Sequence, residues 1–208
     1  MSAKETLEVL MKEKAPGPLH SFQTFHIIKL LELLSNSPVG RGVLSKRLGI
    51  GEGATRTLID RLKNERIIII SKSGCTLTEK GEKLWKKIEK TLPTKIDLER
   101  SELTLSDFNV AILVKAKAQK VKLGMEQRDA AFLAGAKGAT TLVMKRGKLT
   151  MPSEDIDIKT AAPETQSKIK NQLRPEEGDV VVIGSADTHE LAEYGAIAAA
   201  WTLLDDDA

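Results

Sequence analysis

A chain of 208 residues with 41% apolar and 29% charged content has the make-up of an ordinary globular protein, one large domain or two small ones, which leaves little room for disorder except at the ends. The net charge of +3 conceals a split, since residues 1–94 carry 17 Lys+Arg against 10 Asp+Glu and residues 95–208 carry 15 against 19. The basic part suits a polyanion that the acidic part would repel, the lone Cys75 rules out an internal disulfide and fits a reducing cytoplasm, and no apolar run is long enough for a membrane span.

At the N-terminus, charges at Lys4 and Glu5 precede no apolar core of a signal peptide, which agrees with a cytoplasmic protein. Residues 2–14 form a short amphipathic pattern with Leu7, Leu10, Met11 and Lys14 on one side, ended by Ala15-Pro16-Gly17-Pro18. From His20 to Ser35, the residues Phe22, Phe25, Ile27, Ile28, Leu30, Leu31 and Leu34 make a stripe too wide for a surface helix, so a buried core helix is expected. His20 and His26 lie on it with no cysteine or second histidine at ligand spacing, which reads as satisfied or solvent-facing histidines rather than metal ligands.

Residues Arg41 to Leu48 predict a two-turn helix with Val43, Leu44 and Leu48 inward, and Gly49-Ile50-Gly51 permits a sharp reversal into a second helix from about Glu52 to Asn64. At 100 degrees per residue, Ala54, Thr55, Leu58, Ile59 and Leu62 face inward while Gly53, Arg56, Thr57, Asp60 and Lys63 face outward. The outward set is either an ordinary solvated face or a recognition helix. In the second case Arg56 reaches a guanine edge or a phosphate, Thr57 meets a phosphate or a thymine methyl, and Gly53 lets the helix start come close to the backbone.

The continuation favours recognition. A branched strand from Arg66 to Ile70 reaches a tip at Ser71-Lys72-Ser73-Gly74 and returns through Cys75-Thr76-Leu77, so Lys72 and Ser73 would lie at the end of a wing, along a minor groove or phosphate backbone. A helix from Thr78 to Thr91 follows, with Leu84, Trp85 and Ile88 inward and five lysines outward, which read as a solubility coat before a phosphate contact.

These residues resemble the winged-helix domains of MarR-like and related archaeal regulators. The likeness runs through Val43 to Ile50, Thr55 to Leu62, the wing, and Leu77-Thr78-Glu79-Lys80-Gly81. It implies DNA contact by Arg56 and Thr57 on the second helix and by Lys72 and Ser73 on the wing tip. Glu65-Arg66 stands where such domains often carry glycine, which implies a second helix running on a little further. The whole chain is also similar to an archaeal two-domain family that pairs such a domain with a small α/β domain, a likeness that implies no activity.

Past Leu92-Pro93-Thr94 the stretch to Asp107 reads as a linker or edge segment with alternating Ile96, Leu98, Leu103 and Leu105. Strands are expected around Phe108–Ala116, Thr140–Met144, Lys148–Met151 and Asp179–Ile183, and helices at Met125–Lys137, Ser167–Leu173 and His189–Leu204. The fold class is thus an N-terminal winged helix-turn-helix over residues 1–94, mainly α with a β wing, then an α/β or α+β domain over residues 95–208 for dimerisation or effector sensing.

Taking Met125, Phe132 and Ala136 as the inner face of its helix puts Arg128 toward the sheet side, where it reads either as a salt-bridged or exposed end-of-helix arginine or as a pocket arginine for an anionic ligand. The loop Gly184 to Glu190 follows the last strand, where ligands often sit. Asp187 with Glu190 reads as a capping pair there, while Ser185 and His189 are candidate pocket residues beside Arg128. No catalytic constellation, metal set or cofactor fingerprint emerges. Small residues from Ala196 to Trp201 offer a close helix contact to a second copy. The expectation is a non-enzymatic, homodimeric regulator that binds duplex DNA and responds to a small anionic effector. The competing expectation is a small enzyme or nucleotide-binding domain whose winged helix contacts RNA or protein.

Overall fold

The structure, a computed structural model, describes residues 2–12, 21–152 and 157–204. The turn expected at residues 15–18, together with Lys14 and His20, lies outside them. The chain forms two compact units, the first reaching Ile88 and the second running from Glu89 to Leu204, so the division falls in the last turns of a helix rather than after Thr94.

The first unit contains α1 (Ala3–Met11), α2 (Thr24–Asn36), α3 (Arg41–Arg47), α4 (Glu52–Asn64), a hairpin of β1 (Ile68–Ser71) and β2 (Gly74–Leu77), and most of α5 (Glu79–Thr91). A reciprocal Ser2–Glu5 box caps α1, which buries Leu7 and Leu10. On α2 the apolar stripe is buried as expected, except that Phe25 is only half-buried and His26 takes the inner position. The His26 Nδ1 accepts the Gln23 N–H at 2.8 Å, closing the first turn of α2.

Burial lowers the His26 pKa from 6.5 to about 4, so the ring is held neutral. Between those two values the unfolded chain binds a proton that the folded chain refuses. Stability from this group is therefore complete above about pH 6.5 and is lost as pH falls toward 4, a span worth at most ~3 kcal/mol. Thermal midpoints measured from pH 7 to 4 should fall more steeply in the wild type than in His26→Gln, and parallel curves would remove His26 as the cause.

The junction between α4 and the hairpin corrects one expectation. The helix does not run on: Arg66 itself adopts the left-handed conformation (φ 56°) that a glycine would take. Its N–H bonds to the Lys63 carbonyl and the Ile67 N–H to the Leu62 carbonyl, at 2.9 and 2.8 Å, which satisfies the last carbonyls of α4. Gly81 at the start of α5 is required for a different reason, since a Cβ there would lie 2.2 Å from the Ile67 carbonyl oxygen. Val43 also departs from expectation. It is exposed, and Leu44 and Leu48 alone of the expected three are buried.

In the second unit β3 (Lys95–Leu98), β4 (Phe108–Val114), β5 (Gly138–Lys145), β6 (Lys148–Thr150) and β7 (Val180–Ala186) form a sheet in the order β3-β4-β7-β5-β6. Every neighbouring pair is antiparallel, so between the two classes left open by the sequence this is α+β. The supposed linker contains an edge strand. Positive φ at Arg146 and Gly147 makes the tight β5–β6 turn.

The central β7 is buried along its whole length because both faces of the sheet are covered. On one face Leu103, Leu142, Ile169, Leu173 and Val181 belong to a core cluster supplied in part by α7 (Pro163–Gln172). On the other lie α6 (Met125–Leu133) and α8 (His189–Trp201). Here the backbones approach closely. A Cβ at Gly184 would stand 2.4 Å from the Ala192 carbonyl oxygen, and one at Gly195 would stand 2.5 Å from the Ala136 Cβ. The alanines of α8 are therefore consumed inside the domain, where Ala196, Ala199 and Ala200 are fully buried, and offer no close contact to a second copy.

The same packing inverts α6. Its inward residues are Gln127, Ala131 and Ala134, whereas Met125 and Phe132, expected inside, are 50% and 61% exposed. Only small side chains fit the gap beside Gly195, so the bulky ones are turned outward. Arg128 is exposed, although its stem lies by the start of β5, where its Cγ is 3.7 Å from the position a Cβ at Gly138 would take.

Candidate nucleic-acid interface

The geometry of α3 and α4 is fixed by short-range contacts. Gly49 turns the chain with φ 59°, and the Ser45 hydroxyl donates to the Ile50 carbonyl at 2.7 Å, locking the reversal. The buried side of α4 is Thr55, Leu58, Ile59, Arg61 and Leu62, which leaves Gly53, Arg56, Thr57, Asp60 and Lys63 exposed along the other side. Arg61 belongs to the scaffold. It donates to the Leu10 and Lys12 carbonyls at 2.8 and 3.1 Å and stacks 5.6 Å from the centre of the Phe22 ring, holding the chain after α1 against α4.

The exposed row has distinct chemistries. Arg56 and Lys63 have no ion-pair partner among the described residues, so their charges are balanced by solvent ions. The Thr57 hydroxyl donates to the Gly53 carbonyl at 3.1 Å, and what it offers outward is its methyl group and oxygen lone pairs. Gly53 has no folding requirement for a bare backbone: its φ is ordinary and a Cβ would meet nothing within 4 Å. Gly51, at the N-cap of α4, and Gly40 and Gly42, beside the start of α3, share that freedom. Arg41, Lys46 and Arg47 on α3 are exposed too, a basic group that the sequence pattern did not single out because periodicity in so short a helix marks only its inward face.

The hairpin is anchored close to its tip by Val39, which exchanges two backbone hydrogen bonds with Cys75 at 3.0 and 2.9 Å. Burial raises the Cys75 pKa, and Arg41 nearby opposes that shift. At the tip the Ser71 and Ser73 hydroxyls lie 2.7 Å apart, and the Ser73 N–H donates to the Ser71 Oγ at 3.2 Å. Ser73 therefore shapes the turn, leaving Lys72 exposed at its end with no ion-pair partner among the described residues.

In the second unit, Arg128, Ser185 and His189 do not gather into one site. Arg128 is exposed and its Nε and Nη2 donate to Asp129 Oδ1 at 3.0 and 2.9 Å. Ser185 is fully buried, its Oγ accepting the Leu105 N–H at 3.1 Å. The His189 Nε2 sits 2.7 Å from Asp97 Oδ1 on β3. Asp187 is not the cap of α8. That role belongs to Thr188, whose hydroxyl accepts the Leu191 N–H, while Asp187 is held below the usual carboxylate range by Lys137 and then by the Ser106 hydroxyl.

Depressions in this unit include one of about 410 Å³ beside Val143, Lys145 and Met151, and one of about 490 Å³ beside Glu99, Pro163 and Lys168. Neither includes Arg128, Ser185 or His189.

Comparison with known proteins agrees with the division of labour. Residues 22–92 match the family described as CggR N-terminal DNA binding domain, and residues 105–203 match Domain of unknown function (DUF4443). Over 83 residues the chain is 35% identical to the Central glycolytic genes regulator of Bacillus subtilis (strain 168), a match that takes 40% of this chain and only 24% of that protein. A solved structure, a hypothetical protein from Pyrococcus horikoshii OT3, is similar with a TM-score of 0.71 and 31% sequence identity, over 88% of this chain and 93% of that one.

Proposed function

Because this chain belongs to one family with the Pyrococcus horikoshii protein and carries a match to a DNA-binding domain, we propose that it is a homodimeric, sequence-specific transcription regulator that binds duplex DNA. In this reading α2 to α5 and the hairpin are a winged helix-turn-helix. The observation that carries it is the exposed row on α4: a glycine that the fold itself does not need stands at the helix start, followed by Arg56 and Lys63, neither with an ion-pair partner among the described residues. A bare backbone at a helix start is what close approach to a phosphate requires, and an unpaired arginine one turn on can reach a base edge.

Each residue then has its own task. Gly53 admits the DNA backbone, Arg56 reads a base, Thr57 presents its methyl, and Lys63 and Lys72 neutralise phosphates, with Ser73 holding the wing tip in shape. The activity is binding rather than catalysis. No residue of the second unit is assigned to an effector, since Arg128 already has Asp129 and Ser185 is enclosed.

Two substitutions in the full chain separate these tasks. Arg56→Ala should reduce the ratio of target to random-duplex affinity by about 10- to 100-fold, the worth of one bidentate base pairing. Lys72→Ala should weaken both duplexes alike and lower the salt slope by about one, the share of a single neutralised phosphate. Anisotropy titrations measure all four affinities. If Arg56→Ala leaves the ratio unchanged, Arg56 is not the residue that reads sequence.

A further inference from the structure

The outward face of α6 needs an occupant. Of the large apolar side chains exposed among the described residues, Leu123, Met125, Phe132 and Leu133 fall within eleven consecutive positions at 65, 50, 61 and 89% exposure. Leu105 adjoins them, because its Cδ1 and the Arg128 Cγ both approach the place where Gly138 would carry a Cβ, at 2.9 and 3.7 Å. Such a patch on a charged chain marks an interaction surface.

We propose that the occupant is α6 of a second copy of this chain, packed antiparallel across a two-fold axis between Arg128 and Asp129. This deepens the dimeric part of the reading above and names its surface. The pattern along the helix is symmetric about that point: Met125 lies as far before it as Phe132 lies after it, and Gly124 as far before as Leu133 after. In the antiparallel pair Met125 of each copy meets Phe132 of the other, and Leu133 meets the backbone at Gly124, which has no side chain to obstruct it.

The charges match in the same register. Arg128 and Asp129 are 48% and 61% exposed and, among the described residues, pair with each other alone, as consecutive residues, which helix geometry does not favour. Across the axis Arg128 of each copy faces Asp129 of the other, so the two exposed intrachain pairs, one per copy, are exchanged for two interchain pairs shielded by the apolar ends. An isologous contact requires this kind of self-complementarity.

Sedimentation of the full chain tests the pairing through its charges. The wild type should be a dimer. Arg128→Asp and Asp129→Arg should each weaken self-association by about tenfold or more, because each sets like charges opposite one another. Mixing the two variants should restore a dimer, since opposite charges then meet in both places, and that recovery also shows that both variants are folded. As a second readout, Met125→Cys mixed with Phe132→Cys should form a disulfide between the two chains under mild oxidation, in higher yield than either variant alone, with the buried Cys75 as internal control.

A wild-type dimer that survives either charge reversal, or a mixture that forms neither dimer nor disulfide, overturns this surface while leaving a dimeric regulator intact. A monomeric wild type overturns both.

Discussion

Between about 50 and 200 mM salt, the affinity of the full chain for duplex DNA is expected to fall by about a thousandfold or more. Lys46, Arg47, Arg56, Lys63 and Lys72 are exposed and have no ion pair among the described residues. Each can exchange solvent counterions for a phosphate, and two copies on one site neutralise roughly six or more phosphates, enough for a slope near that of strongly electrostatic DNA binders. The acidic surplus of residues 95–208 cannot supply this effect. A plot of log affinity against log salt gives the slope directly. A slope near zero would mean that these cations do not meet phosphates, and the DNA-binding reading would lose its driving force.

The N-terminal unit was legible because its signals are local. The inward and outward residues of α4 follow from helical periodicity, and the Gly49 reversal and the hairpin tip from turn chemistry. What periodicity missed there are positions decided by other parts of the chain. Arg61 is buried because the Leu10 and Lys12 carbonyls and the Phe22 ring receive it, and none of these is near it in sequence. Arg66 takes a glycine conformation because hydrogen bonds to Leu62 and Lys63 end the helix there whatever the residue.

The second unit was read less well, for a single physical reason. Assigning α6 by its bulkiest residues assumes that bulk goes inside, but the approach of α8 is so close that only Ala131, Ala134 and Ala136 fit, opposite Gly195. Small residues at helical spacing were the visible sign of the inner face. The expected effector pocket rested on that wheel, whereas Arg128 is exposed and paired with Asp129. Ser185 was expected in the loop after the last strand but lies inside β7, which runs to Ala186 rather than stopping at Ile183.

Asp179→Ala should destabilise the second unit by about 3–5 kcal/mol, the cost of removing one side of a buried ion pair. Asp179 is 2% exposed and answers three donors: its Oδ1 accepts the Ala116 N–H at 2.9 Å, and its Oδ2 accepts the Lys115 Nζ and the Glu176 N–H at 2.8 Å each. It stands just before the central strand, so the carboxylate ties the end of β4 to the start of β7, while its backbone carbonyl separately accepts the Met144 N–H of β5 at 2.9 Å. Truncation leaves two backbone N–H groups and a partly buried lysine facing an empty site, with Glu176 as the remaining partner of Lys115. Asp107→Ala is the control, because its ion pair with Arg100 is 75% and 71% exposed and worth little. Thermal unfolding of both variants should show a drop of more than about 10 °C for Asp179→Ala and almost none for Asp107→Ala. Equal midpoints would mean that water replaces the carboxylate at Lys115, and that the end of β4 is held by its strand pairing alone.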